Sequence, residues 1–409
     1  MTRFVIIGAG PAGMRAAEVL RAQSPDAEIV LIGDEPHLPY QRPPLSKAFI
    51  TERLTDAQLH LKPEAFYIEQ KITLRLGTPA ARIDRAAKRV DLADGASIPY
   101  DRLLLAMGCR GRKLAAAFAN VPVYYLRSLR DADGIRNALA PGLEVVMIGG
   151  GFIGLEIAAS ATKLGAKVTV LEAAPRLMSR AMPEIISDFV RRLHETNGVR
   201  FEFDARLKRV EEGAANRPVV TTERAVYPCG MVIAGIGAEP NTELAAAAGL
   251  VVEDGVRVDH FGRSSDPDIF AAGDVTRHDN PLLGRAIRIE SWQVALNQAA
   301  VVARNMAGAS EAYAELPWLW TDQYDCNIQM LGFFDPGLET LVRGDPKANA
   351  FTVLGLSGDG RIASAVTVNT GRDMSVLRRL VSANIRAPRD ALADPNRKLA
   401  DLLKAARTA

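Results

Sequence analysis

The sequence predicts an α/β chain of two Rossmann-like units followed by a smaller α+β module. Three observations carry that expectation. A strand–glycine turn–helix segment occurs twice; alternating apolar strands begin near Leu316. The length of 409 residues leaves room for two or three cores at roughly 150 residues per domain.

The repeat is the most informative element. Residues 3–35 read RFVIIGAGPAGMRAAEVLRAQSPDAEIVLIGDE, and residues 144–174 read EVVMIGGGFIGLEIAASATKLGAKVTVLEAA. Gly8, Gly10 and Gly13 align with Gly149, Gly151 and Gly154. Each copy runs from an apolar strand through GxGxxG into an apolar-periodic helix, then into a second strand that ends near an acid. That order is the dinucleotide fingerprint, and its double occurrence argues against a turn kept for packing alone. The first glycine permits the tight turn, the second lets backbone approach a pyrophosphate, and the third lets helix and sheet pack closely. The helix N-terminus supplies free N–H groups and a positive dipole end.

Two units imply two dinucleotides, commonly a resident flavin and an exchanging nicotinamide. Glu172 ends the second strand of the second copy. A carboxylate there accepts hydrogen bonds from a ribose 2′-OH and repels a 2′-phosphate, which favours NADH over NADPH. Arg176 and Arg180 follow in the next loop and read either as phosphate ligands or as solvated loop residues. In the first copy Gly33 takes the place of Glu172, so the ribose acid is Asp34 or Glu35, with Asp34 preferred.

Composition excludes several classes. An apolar share of 48% rules out a disordered chain. Fifty Lys and Arg against 48 Asp and Glu give a formal charge of +2, too little for a nucleic-acid binder that relies on a basic field. Cys109, Cys229 and Cys326 form neither a CxxC pair nor a disulfide framework, which points to a reducing compartment. Five scattered histidines show no metal spacing, so no metal site is expected. The most apolar window, residues 144–161, holds Glu156 and four glycines and does not suit a membrane span. The short N-terminal apolar stretch breaks at a glycine turn before any cleavage region. The expected location is the cytoplasm, with no membrane and no nucleic-acid partner.

Further motifs extend along the chain: LPYQRPPLSKAF (38–49), YDRLLLAMG (100–108), YLRSLRDAD (125–133), PDIFAAGDVT (267–276), RIESWQVALNQA (288–299) and LPWLWTDQY (316–324). With the two fingerprints, these resemble, in order, the FAD-dependent ferredoxin reductases that serve bacterial oxygenase systems. The resemblance implies a glutathione-reductase-like two-dinucleotide fold. Its flavin domain would be split over 1–108 and 239–315, with a nicotinamide domain at 109–238 and a C-terminal α+β domain at 316–409.

The paired prolines at 43–44 predict a stiff extended loop that cannot be helical, aiming Arg42 and Lys47 at the cofactor. The resemblance places Lys47 beside the flavin and Glu156 at the nicotinamide end, where the two would pair and orient nicotinamide over flavin. It assigns Asp274 to the ribityl–pyrophosphate region of FAD. Ala12, Ala80, Arg127 and Trp292 are implied as further flavin contacts, Ile153 and Gly237 as contacts of NADH, and Trp320 as a lining residue. Residues 291–304 are apolar at helical spacing, with Ser291 as N-cap. Met107 stands where the family usually has Thr, and the Asp325–Asn327 loop also departs from it.

The implied activity is electron transfer from NADH through FAD to a small acidic two-iron ferredoxin that feeds an oxygenase. That acceptor is a haem-thiolate monooxygenase or a ring-hydroxylating dioxygenase. The alternatives are an NADH oxidase or peroxidase, or a flavoprotein of the apoptosis-inducing-factor type. A disulfide reductase is disfavoured because no cysteine precedes Cys109. Residues 371–409 carry nine Lys or Arg against four Asp, a basic patch able to steer an acidic partner or simply a solvated helix face. Monomer and homodimer stay open.

Overall fold

The computed structural model describes the backbone of residues 1–408 and side chains through Lys404. Arg407, counted in the basic tail, therefore lies outside the described side chains. The chain divides into two compact units. One comprises Met1–Pro43, Thr55–Arg110 and Ala238–Pro317; the other comprises Pro44–Leu54, Gly111–Gly237 and the chain from Trp318 onward.

In the first unit five parallel strands lie in the order Ile269–Ala271, Arg102–Leu105, Arg3–Ile7, Glu28–Ile32, Ile72–Arg75. Both faces are covered, so the strands read as continuous apolar runs. Phe4 and Ile6 face a core shared with Met14, Leu20, Ala299 and Val302. These come from the helices Pro11–Gln23 and Trp292–Met306. Val5 and Ile7 face the opposite core with Ile83, Val90 and Tyr100, supplied by residues around the antiparallel sheet Ala80–Asp84, Arg89–Leu92, Ser97–Pro99. Period-2 alternation thus sends each strand residue to one of two cores.

The second unit repeats the plan. Four parallel strands lie in the order Arg200–Glu202, Lys167–Leu171, Glu144–Ile148, Met231–Ala234. Val145 and Met147 pack with Ile157, Ala158 and Ala161 of the helix Phe152–Lys163. Val146 and Ile148 pack with Val210 and Val220 of a three-stranded antiparallel sheet. The last part forms a five-stranded antiparallel sheet ordered Trp318–Gln323, Cys326–Leu331, Ile362–Val368, Phe351–Leu356, Glu339–Gly344. Its residues Ile328, Met330, Val353 and Val366 pack against Ile186, Phe189 and Val190 of the helix Glu184–Thr196. That apolar contact is why the C-terminal sheet clusters with the second unit.

Two local expectations are corrected. Pro43–Ser46 forms a 3-10 turn, followed by the short helix Ala48–Thr51, where an extended, non-helical loop was expected. Proline is excluded from helix interiors, but the first positions of a helical turn need no N–H donor. Pro43 and Pro44 occupy those positions, and the Lys47 N–H bonds to the Pro44 carbonyl. Residues 44–54, read as part of the first unit, also pack within the second: Ile50 joins the core of Ile135, Met147 and Ile157.

Two buried histidines make this fold sensitive to acid. His194 is 0% and His278 1% exposed. Among the described residues, both ring nitrogens of His278 lack a hydrogen-bond partner. Burial pushes both imidazoles down from 6.5 to about 4. A folded-state value below the unfolded one means that the unfolded chain binds more protons between pH 6.5 and 4, so stability falls as pH drops through that window. Each histidine contributes up to about 3 kcal/mol to the loss. Urea unfolding over a pH series checks this; stability that stayed flat to the bottom of the window would contradict it.

Candidate active site

The two glycine turns have the same geometry. Gly8 and Gly149 adopt φ of +115° and +102°, the region open to glycine. A Cβ on Gly8 would run into the Ala106 carbonyl, and one on Gly149 would lie 2.5 Å from the Gly235 carbonyl. On Gly13 and Gly154 a Cβ would meet the carbonyls of Gly8 and Gly149. These four glycines answer to close backbone packing.

Gly10 and Gly151 differ. Their φ values are −86° and −85° with extended ψ, which any residue adopts. A Cβ on either would meet nothing within 4 Å. The protein itself gives no reason for glycine there, whereas a ligand at the helix N-terminus does. Neither helix has a side-chain cap at its N-terminus, so the first-turn N–H groups stay available. These features fit a dinucleotide at each turn.

In the first unit the carboxyl ends of the parallel strands gather most of the flavin candidates. Asp34 follows Glu28–Ile32 and is exposed, with no hydrogen bond or ion pair to the described residues. Glu35 is already engaged: Tyr40 Oη donates to its Oε2 at 2.7 Å, and Arg42 Nη2 pairs with its Oε1 at 2.9 Å. The pattern separates a free acid from one that holds Arg42. Asp274 follows Ile269–Ala271, and its Oδ2 lies 3.6 Å from the Cys109 Sγ. A Cβ on neighbouring Gly273 would lie 3.1 Å from the Ala12 Cβ and 3.8 Å from the Ala295 Cα. This sets the Asp274 turn beside the first turns of both helices. Ser291 caps Trp292–Met306 by accepting from the Val294 N–H, as its sequence position predicted, and Trp292 opens that helix half-buried. Ala80 lies on the outer sheet, packed against the second core. Met107 packs against that core as well, and its carbonyl accepts from Asn241 Nδ2 at 2.9 Å.

In the second unit Glu172 stands at the end of its strand. Its Oε2 accepts from the Gly150 N–H at 2.7 Å and its Oε1 from the Ala174 N–H at 2.8 Å, which holds the carboxylate against the glycine turn. Ile153 is 47% exposed in the first turn of Phe152–Lys163. Gly237 leaves open space at its Cα. Arg176 donates to the Met182 carbonyl, Ser187 Oγ and the Ser179 carbonyl. It braces its own loop, while Arg180 is exposed.

Glu156 sits at the centre of a buried polar cluster in the second unit. It is only 3% exposed, yet it carries three polar contacts from two distant segments. Lys47 Nζ lies 2.8 Å from Oε1. Thr321 Oγ1 donates to the same oxygen at 2.6 Å, and Ser46 Oγ donates to Oε2. Ser160 Oγ, one helical turn on, donates to the Ser46 carbonyl at 2.6 Å. A buried charge persists when it is paired and hydrogen-bonded, and this carboxylate is both. Arg127 also belongs to the second unit, just before the Ser128-capped helix Leu129–Ala138.

The sequence reading did not single out Ser46, Thr321, Gln323 or His194. Ser46 and Thr321 lie inside quoted motifs, but neither pattern says that their hydroxyls meet one carboxylate. Residues 325–327 were expected to form a loop. Instead Cys326 and Asn327 begin a strand, and Tyr324–Asp325 make the hairpin turn. Trp318 and Trp320 stack 5.1 Å apart on one strand, and Arg378 lies 4.6 Å over the Trp318 ring. In the basic tail Arg386 pairs with Asp359 and Arg389 with Glu339, which offsets part of the excess charge.

Residues 2–299 match the family model described as pyridine nucleotide-disulphide oxidoreductase, and residues 318–403 match the reductase C-terminal model. The chain is 50% identical to the ferredoxin–NAD(+) reductase component of an anthranilate 1,2-dioxygenase system from Burkholderia cepacia, over 96% of this chain and 97% of that one. It is 36% identical to putidaredoxin reductase from Pseudomonas putida, over 98% and 97%. A crystal structure of a covalent putidaredoxin reductase–putidaredoxin complex superposes with a TM-score of 0.94 at 35% identity, over 100% of this chain and 99% of that one.

Proposed function

Because the chain belongs to the pyridine nucleotide-disulphide oxidoreductase family, we propose that it is an FAD-dependent NADH:ferredoxin reductase. Its acceptor would be a small acidic two-iron ferredoxin that feeds an oxygenase. The observation that carries this reading is the pair of open glycine turns in a chain whose three cysteines are each buried and unbridged. Such a chain can hold two dinucleotides but has no dithiol to accept their electrons. The similarity over nearly the whole chain to reductase components of dioxygenase systems supports the same acceptor class. When bound, FAD supplies the conversion of a two-electron hydride donor into two single electrons. In the balanced reaction NADH becomes NAD+, one proton is released, and two ferredoxins each gain one electron.

The residues divide by task. Gly8, Gly10, Ala12, Gly13, Asp34, Arg42, Ala80, Asp274 and Trp292, with Lys47 and Arg127, would hold FAD. Gly149, Gly151, Ile153, Gly154, Glu172 and Gly237 would hold NADH, with Glu172 on the ribose. The Lys47–Glu156 pair would orient the nicotinamide. Apart from residues 44–54, which pack in the second unit, residues 1–108 with 239–315, 109–238 and 316–409 would serve as flavin, nicotinamide and C-terminal domains in this reading. Glu172 is fixed against the turn and Arg176 is spent on its own loop, which supports NADH over NADPH.

The test is a panel assay of the purified yellow protein. NADH or NADPH is the donor, and a two-iron ferredoxin, ferricyanide or oxygen is the acceptor. Fast turnover is expected with NADH and ferredoxin, slow turnover with oxygen, and a ferredoxin rate that falls as salt rises. Preference for NADPH would overturn the role of Glu172. A ferredoxin rate indifferent to salt would remove steering by the basic tail.

A further inference from the structure

The Glu156 cluster continues into a buried chain that the proposed reaction does not use. Thr321 and Gln323 lie on one face of their strand, two residues apart, and each is 0% exposed. Gln323 Nε2 lies 3.1 Å from Thr321 Oγ1, and its Oε1 lies 2.8 Å from His194 Nε2. On the far side of the ring, the Tyr324 hydroxyl stands 3.5 Å from Nδ1.

The direction of every proton in this chain follows from its carboxylate end. An ionised carboxylate only accepts. Thr321 has a single hydroxyl proton, which must point at Glu156 Oε1, because two lone pairs facing each other at 2.6 Å would repel. The Thr321 oxygen is then an acceptor, so Gln323 must present its NH2 to it. That turns the Gln323 carbonyl toward His194, and His194 must carry its proton on Nε2. Burial keeps the ring neutral near pH 7, so the single proton leaves Nδ1 as the acceptor facing Tyr324.

We propose that Glu156, Thr321, Gln323 and His194 form one directed hydrogen-bond chain. Gln323 and His194 act in it as positioning residues that keep Thr321 an obligate donor to Glu156. A hydroxyl free to rotate would leave Oε1 tied to Lys47 alone; the chain removes that freedom and fixes the carboxylate. The C-terminal strand, 165 residues from Glu156 in sequence, thereby sets the geometry of the Lys47–Glu156 pair. The effect on turnover rests on the orienting role proposed for that pair, whereas the proton arrangement does not.

Two measurements on the holoenzyme separate these points. Long-range 15N correlation spectra of histidine-labelled protein at neutral pH read the His194 tautomer. The Nε2–H form is expected in the parent and in Tyr324→Phe, which removes the hydroxyl at Nδ1. In Tyr324→Phe/Thr321→Val, where the Gln323 amide loses its anchor, mixed tautomers are expected; Tyr324→Phe/Thr321→Ser should restore the single form. An Nδ1–H ring in the parent overturns the chain, as does an unchanged single tautomer once Thr321 is Val. In anaerobic stopped flow, Thr321→Val should slow flavin reduction by NADH about tenfold, a typical effect of losing a hydrogen bond to a charged group. Thr321→Ser should recover the rate. If Thr321→Val is at the parent rate while Glu156→Ala is slow, the positioning role fails. If both are fast, the orienting role of Glu156 fails as well.

Discussion

Glu156→Ala is expected to slow NADH-dependent flavin reduction on the order of 100-fold, the usual cost of removing a preorganised group that orients or stabilises reacting charge. The same change should destabilise the fold. It removes the carboxylate partner of the Lys47 ammonium, which is 20% exposed, and the carboxylate that accepts from the Ser46 and Thr321 hydroxyls. Breaking one side of a buried ion pair costs about 3 kcal/mol or more. The two effects are separable. Glu156→Gln keeps the shape and an acceptor oxygen, so most of the stability should return while the slow hydride step remains. Lys47→Met removes the cation but leaves both hydroxyl donors on the carboxylate, and should also be slow. Stopped-flow absorbance and thermal midpoints on the same samples decide the matter. A parent-like rate in Glu156→Ala would show that the pair is structural only.

The glycine turns yield the other large effect, one that depends on position. Gly10→Ala should fold, since its Cβ meets no protein atom within 4 Å and its backbone lies at φ −86°. A stability change below about 1 kcal/mol is expected for such a helix-cap substitution. Its Cβ would nonetheless stand where the pyrophosphate must approach, so the purified protein should come off a desalting column colourless. Gly151→Ala should behave likewise toward NADH, keeping its flavin while NADH affinity falls about 100-fold or more, in keeping with a blocked phosphate cradle. Gly8→Ala is the contrasting control. At φ +115° and against the Ala106 carbonyl it should lose on the order of 3 kcal/mol through strain and overlap. A Gly10→Ala protein that retained FAD would refute the assignment of that turn.

Much of this architecture is legible in the sequence because its signals are local. A fingerprint occupies about thirty consecutive residues, and its glycines, helix and terminal acid are read together. The structure then sorted the glycines into two groups. Gly8, Gly13, Gly149 and Gly154 avoid backbone overlap, while Gly10 and Gly151 leave space that the protein does not fill. It also separated Asp34 from Glu35, because only Glu35 is engaged by Tyr40 and Arg42. Arg176 could not be placed from sequence, since an arginine's role depends on which carbonyls lie within its reach. The 3-10 turn at Pro43–Ser46 escapes the proline pattern because proline is barred from helix interiors but not from first-turn positions.

By itself the sequence determined that this chain holds two parallel-sheet nucleotide units, a strand-rich C-terminal part and no cysteine pair. These follow from short-range periodicity, from glycine spacing and from composition. Only the tertiary structure decided what surrounds Glu156. Its partners Ser46 and Thr321 lie 110 and 165 residues away, and no periodicity links them. A buried carboxylate must find its donors wherever folding brings hydroxyls and an ammonium within reach. Those neighbours are set by the packing of the Phe152–Lys163 helix against the Pro43–Ser46 turn and the Trp318–Gln323 strand.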